Sequence, residues 1–396
     1  MISLSEHVIN QHYIPQCVLK HFSNSKNQVV EALVDLKRIY KTNYRQSMSE
    51  RYTYEHPALE KNKLEKYFSK IEGYFSDVIN NILNKIKEFE EGHIEFREIT
   101  ILVERYMREF IIFYYRSGAL LHEFSFMQKI EHTKINFLLN NIMSSRYIRD
   151  LSKTITEYYT LSIIKSEDMH FLLSDQYLST AALGIKGRFL NVSNRHIGFK
   201  EVILFIPLSS KYYIVYSNGH QPLYIEPNKV NTLTDTQIKE VNKTIINNSY
   251  KKCIGFNENA INDAIGDFES KSVGISLGQL ESGGKTGATL KKELFFYKSD
   301  EDKWDFFTKY KFVNYKSTKR NDNCPCKSGK KFKKCCIDNH TASTKIMNQL
   351  DLIDKNPSSI LVHPSATAER GIAEFSPQKQ DPRNLKFNWD NLLSRF

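Results

Sequence analysis

Four cysteines fall within residues 324–336, in the run Asn323-Cys324-Pro325-Cys326-Lys327-Ser328-Gly329-Lys330-Lys331-Phe332-Lys333-Lys334-Cys335-Cys336. The spacing is C-x-C-x8-C-C. Two close thiol pairs joined by a short loop can offer four soft ligands to one tetrahedral ion, and a closed set of four thiolates favours Zn2+. Gly329 can take the positive φ that turns the loop back. Pro325 stiffens the first pair, and Phe332 is the one bulky apolar side chain. So small a unit has too little core to fold alone, so metal binding and folding are expected to be coupled. A disulfide knot fits poorly, because adjacent cysteines pair badly with each other. Cys324, Cys326, Cys335 and Cys336 are the expected ligands, with His340 as an alternative to Cys336.

The same run resembles the SEC-C zinc motif, known from the C terminus of the translocase ATPase SecA. The pattern of that motif is C-x-C-x8-C followed by His or Cys, and Cys336 takes the last place here. The resemblance implies a zinc-stabilised docking module for acidic partners, among them a secretion chaperone and the ribosome. It covers only this short stretch and is silent on the rest of the chain.

Charge is concentrated at the same place. The net charge is +11, and residues 311–334 hold nine Lys/Arg against one Asp, a net of 9 − 1 = +8, leaving 11 − 8 = +3 for all other residues. Lys319, Arg320, Lys327, Lys330, Lys331, Lys333 and Lys334 are expected to attract RNA, the ribosome or an acidic protein surface. Only Cys17 and Cys253 lie outside the motif, which argues against a disulfide framework. The N terminus lacks a basic segment followed by an apolar run, and no apolar stretch is long enough to span a membrane. A cytoplasmic protein without a membrane partner is expected.

Along the chain, 1–58 reads as loops, short strands and a short helix near Cys17–Phe22. Leu59, Leu64, Phe68, Ile71, Phe75, Val78, Ile79, Ile82, Leu83 and Ile86 then form a helical stripe that stops at Gly92. Residues 95–145 continue as helix, broken near Gly118, and 147–165 as another. Strand character appears at Phe171–Leu173, Val202–Pro207 and Tyr212–Tyr216, the last two joined as a hairpin. Helices are expected at Thr234–Asn248, capped by Thr234 or Asp235, and at Asn257–Phe268. A Gly-rich segment, 276–289, precedes a last strand at Leu290–Tyr297. The expected architecture is α+β: a helix-rich block, then a small, mostly antiparallel sheet with helices, then the zinc knuckle. The expected domains are 1–310, 311–340 and a flexible tail, 341–396. In the tail, Leu385, Trp389, Leu392, Leu393 and Phe396 fall on one helical face, either docking a partner or clasping the body.

The opening Gln11-His12-Tyr13-Ile14-Pro15-Gln16-Cys17-Val18-Leu19-Lys20-His21-Phe22 resembles the start of an uncharacterised bacterial family with the signature H-[YFV]-[VI]-P-Q-x-x-L-x-x-F. Leu59-Glu60, Ile71-Glu72, Tyr114-Tyr115-Arg116, Leu173-Ser174-Asp175 and Ile206-Pro207-Leu208-Ser209 follow in matching order, so the resemblance spans roughly 7–260. It implies a shared fold without a settled reaction, in a family often placed among defence genes. Tyr177 stands near a place where the family often has Pro.

His12, Arg116 and Asp175 are the candidate catalytic residues. His12 can shuttle protons. Asp175 ends an apolar strand, and Arg116, set among apolar residues, needs Glu60, Glu72, Asp175 or a phosphate as its partner. The bland reading of the trio is a buried ion pair with a backbone-bonded histidine. Arg116-Ser117-Gly118-Ala119-Leu120-Leu121-His122 also matches the R-x4-6-H spacing of HEPN ribonucleases, although Ser117 departs from their usual Asn, Asp or His. Ser282-Gly283-Gly284-Lys285-Thr286 lacks the first glycine of a P-loop, since Gln279 stands there. Two readings follow: a defence- or toxin-associated nuclease brought to RNA or the ribosome by the zinc module, or a non-enzymatic adaptor or sensor.

Overall fold

The structure is a computed structural model that describes residues 8–57, 59–117, 145–185, 200–269, 273–278, 287–292, 294–310 and 313–342, with a few isolated positions. The chain opens with β1 (Asn10–His12), α1 (Gln16–Lys20), β2 (Gln28–Leu33), β3 (Arg38–Asn43) and β4 (Ser49–Arg51). The helical block follows as α2 (Lys63–Glu90), α3 (Phe96–Arg105), α4 (Met107–Arg116) and α5 (Ser145–Tyr158). On α2 the expected stripe is buried from Leu64 to Ile86, with Leu83 only partly covered. Gly92, at φ 77°, turns the chain out of the helix where a side chain would be strained.

The second half carries β5 (Thr160–Lys165), β6 (Leu173–Ser174), β7 (Ser179–Ala182), β8 (Val202–Pro207), β9 (Tyr212–Asn218), β10 (Val230–Thr232), α6 (Asp235–Asn248), β11 (Lys252–Gly255) and α7 (Glu258–Ile265). A hairpin of β12 (Val273–Gly278) and β13 (Gly287–Lys292) and a helix, α8 (Lys298–Tyr310), lead to the cysteine cluster. One sheet has the order β10-β5-β9-β8-β7 and is antiparallel except at β10–β5. The other, β3-β2-β11-β6, is wholly antiparallel. Helix α6 packs on β6 and β7, and α7 on β2 and β11. The fold is therefore α+β, with a helix-rich region, mixed antiparallel sheet and helix, and a small cysteine cluster near the end.

Three local expectations change. The helix expected over 147–165 stops at Tyr158, because Thr160–Lys165 is buried along its centre and hydrogen-bonded to a strand on each side. The helical run after residue 95 breaks at Tyr106, between α3 and α4, while Gly118 lies outside the described residues. Residues 294–296 add to the β7 edge, where Ala182 N–H donates to the Leu294 carbonyl and Phe296 N–H to that of Ala182. The helix α8 starts just after them, at Lys298. Elsewhere, α6 starts at a capping box in which Thr234 and Gln237 satisfy each other's backbone N–H. His122, 279–286 and the tail beyond 348 lie outside the described residues.

Candidate functional site

The cysteine cluster is built by a short, tightly turned loop. Asn323 and Lys331 form an antiparallel bridge, Cys324 N–H donates to the Lys330 carbonyl (2.8 Å), and Phe332 N–H to that of Asp322 (2.8 Å). Lys327 and Gly329 take left-handed φ of 62° and 75° to close the turn. A single 3-10 turn at Phe332–Lys334 then presents Cys335 and Cys336 to the first pair. The sulfurs of Cys324, Cys326, Cys335 and Cys336 lie within 4.8 Å of one another, with Cys326–Cys335 at 3.5 Å and Cys335–Cys336 at 3.6 Å. A tetrahedral ion with metal–sulfur bonds of about 2.3 Å needs sulfurs about 3.8 Å apart, so the cluster is the size of such a site. Hydrogen bonding by Ser328, the largest influence, brings the Cys326 thiol down to about 6, whereas burial raises those of Cys324 and Cys336. His340 is not one of the four converging groups, and its ring packs 4.9 Å from Tyr315 and 5.9 Å from Phe332.

The knuckle has its own small core. Phe306 of α8, Tyr315, Cys324, Phe332 and Cys336 are buried together, with Val313 and Ile337 against them. The cations lie outside it. Lys316, Lys319, Arg320, Lys327, Lys330, Lys331, Lys333 and Lys334 are exposed, and none forms an ion pair among the described residues.

His12, Arg116 and Asp175 sit in the body, and the fold engages each of them. Arg116, at the end of α4, is fully buried, with Nη1 2.7 Å from Glu72 Oε1 and Nη2 donating to the His12 carbonyl. Its guanidinium faces the Phe68 ring at 4.5 Å, and the Glu72 carboxylate keeps it a firm cation against the pull of burial. Glu72 is thus the partner, and its other oxygen accepts from the Gln16 N–H at 3.2 Å. Tyr54 donates its hydroxyl between the carbonyls of His12 (3.2 Å) and Arg116 (3.0 Å). The His12 ring donates from Nε2 to the Arg45 carbonyl (3.0 Å), and its Nδ1 accepts from the Gln16 amide (3.3 Å). That arrangement needs the neutral ring, which burial, the largest influence on it, also favours.

Asp175 serves another junction. Its Oδ1 accepts from Tyr250 N–H (2.9 Å), and its Oδ2 from those of Lys251 (2.8 Å) and Lys252 (2.9 Å), which fixes the entry to β11. Tyr177, two residues on, has φ 66° and is fully buried, returning the chain toward β7. The trio expected to do acid–base chemistry therefore joins chain segments. None of the three lines the hollow of about 610 Å³ bounded by Tyr224, Phe295 and Tyr297, nor that of about 330 Å³ beside Gln28 and Phe256. Glu65 was not foreseen from the sequence. Burial lifts its carboxyl to about 7, against the opposing pull of Arg116, and nothing in the α2 pattern marks it out.

With this geometry in place, comparison with known families is direct. A family model described as protein of unknown function (DUF4238) matches residues 10–136 and 104–259. These matches cover more than half of the chain, and the chain belongs to that family. A second model, the SEC-C motif, matches residues 320–337, the segment that holds the cysteine cluster. No solved structure matches the chain. Among the described residues, no helix is long and apolar enough to cross a membrane.

Proposed function

We propose that this protein is a docking protein that holds Zn2+ at Cys324, Cys326, Cys335 and Cys336 and uses the basic face so fixed to bind the phosphate-rich surface of structured RNA, the ribosome foremost. The observation that carries the reading is the set of eight exposed cations that form no ion pair among the described residues, around a thiol cluster of metal-site size. The zinc would hold the loop closed, and the lysines would then meet an anionic surface as a preformed array. Among the described residues of the knuckle, Tyr315 and Phe332 are both buried at 4% exposure. The described face therefore offers no exposed Tyr, Phe or Trp as a stacking platform for unpaired bases or as an aromatic anchor of the kind that dominates protein interfaces. Phosphate backbone suits it better than either. The nuclease reading loses support because Arg116, His12 and Asp175 already have partners in the fold.

Co-sedimentation with ribosomes tests this. The full chain should pellet at low salt and be released steeply between about 50 and 200 mM. Replacing Lys330, Lys331, Lys333 and Lys334 by Ala should lower the slope of log affinity against log salt by about four. A flat salt response, or pelleting unchanged by the four substitutions, overturns the reading. RNA cut in the same tubes by the wild type but not by His12→Gln would return the chain to the enzymes.

A further inference from the structure

Tyr315 lies before the residues that the SEC-C model matches, yet it is built into the cysteine cluster. Its ring stacks on Phe332 (5.7 Å, 21° between planes) and lies 5.9 Å from Phe306 of α8 and 4.9 Å from His340. These contacts fix the ring on three sides. The hydroxyl at its end is buried and approaches Cys336 without reaching a hydrogen bond of good geometry. It shares its buried cluster with Cys324 and Cys336, and of the sulfurs that of Cys336 acts on it most strongly.

A buried hydroxyl without a well-placed acceptor is a costly arrangement, of about 1–3 kcal/mol, and rarely persists without a reason. The neutral thiols beside it are weak acceptors. A metal-bound thiolate carries negative charge and is a far better one. We propose that Tyr315 is a positioning residue of the metal centre, donating its O–H to the Cys336 sulfur once the thiol has given up its proton to bind metal. The bond orients the lone pairs of Cys336 and withdraws charge from it. Ser328 has the matching place on the outer side, with its hydroxyl 3.2 Å from the Cys335 sulfur, but it is exposed to water, which can replace it. The Tyr315 bond has no such substitute. Through Phe306, the same ring also ties the metal centre to α8, and α8 leads back to the β7 edge through residues 294–296.

The inference rests on the metal reading, and the two fail separately. The full chain is loaded with Co2+ in place of Zn2+, and Tyr315→Phe is compared with the wild type. Phe keeps the ring and its packing and removes only the hydroxyl. Two results are expected together: a move of the thiolate-to-cobalt charge-transfer band to lower energy, and about tenfold weaker retention of the ion against a chelator. An unchanged band in Tyr315→Phe, whether or not retention falls, leaves the ring with a packing role only and overturns the proposal. A wild type that takes up no Co2+ or Zn2+ at all defeats the metal reading itself.

Discussion

The body and the knuckle are stabilised in opposite ways. The body buries an extended apolar core running from Tyr13 to Phe268, and within it places one arginine against one carboxylate. Among the described residues, the knuckle's core buries five side chains, two of them cysteines. A core of that size cannot offset the loss of chain entropy on folding, which amounts to about 1–2 kcal/mol for each residue's backbone. The difference teaches where each region is fragile. The body depends on many residues and loses stability by degrees, whereas a knuckle held by a metal at four sulfurs is expected to fail all at once.

The sharpest way to break the pairing is at the sulfurs. Cys335→Ser, or treatment with a strong chelator, should unfold the knuckle and leave the body folded. The metal is expected to contribute about 10 kcal/mol or more to so small a unit. Far-UV circular dichroism would change little, while proteolysis would cut between Tyr310 and His340. Protection there in the substituted chain, or full metal content, would show that the knuckle stands without the site.

Next in size is the buried pair of the body. Arg116→Ala should cost about 3–5 kcal/mol, since it removes the cation from the Glu72 carboxylate and takes one of two donors from the His12 carbonyl, leaving it only Tyr54. A thermal melt measures the loss, with metal content unchanged. A variant as stable as the wild type would remove the structural role assigned to Arg116.

The smallest effect is one of pH. The carboxyl of Glu65 rests at about 7 in the fold, because burial disfavours its charge more than Arg116 favours it. Its ordinary value is near 4.5. The contribution of Glu65 is therefore complete below about 4.5 and is lost as pH rises through about 7, with a range of up to about 3 kcal/mol. His12 acts in the other direction, since its neutral ring is stable in the fold and must charge as pH falls. Subtracting the Glu65→Gln melting curve from that of the wild type between pH 5 and 8 isolates Glu65. A difference that does not vary with pH would place that carboxyl in water.

Much of this was legible in the sequence, for reasons that differ by region. The cysteine spacing and clustered lysines are local signals, so the knuckle could be read from one short window. The stripe of α2 and the cap at Thr234 are likewise written within a few residues of each other. The Val202–Asn218 hairpin could be read for the same reason. What could not be read depends on distant partners. Thr160–Lys165 looks like the end of a helix until β9 and β10 claim its two edges. Three carboxylates could have met Arg116, and only the placement of α2 beside the end of α4 chooses Glu72. Asp175 invited a catalytic reading because its three backbone donors lie some 75 residues away. Tyr315 gave no signal, since a tyrosine a few residues from a metal motif is unremarkable by itself.

The pairing of β2 with β11 has a consequence for synthesis. Val30 sits opposite Gly255, and Leu33 opposite Lys252. As the chain leaves the ribosome, the inner edge of β2 therefore has no partner until more than 200 further residues have been made. At about 5–20 residues per second, that is a wait of roughly 10 to 45 seconds. For that time a strand with the sequence Gln-Val-Val-Glu-Ala-Leu would be open on one side. Glu31 in the middle of the strand, with its carboxylate still in water at that stage, is the charge that would keep nascent copies from pairing with one another.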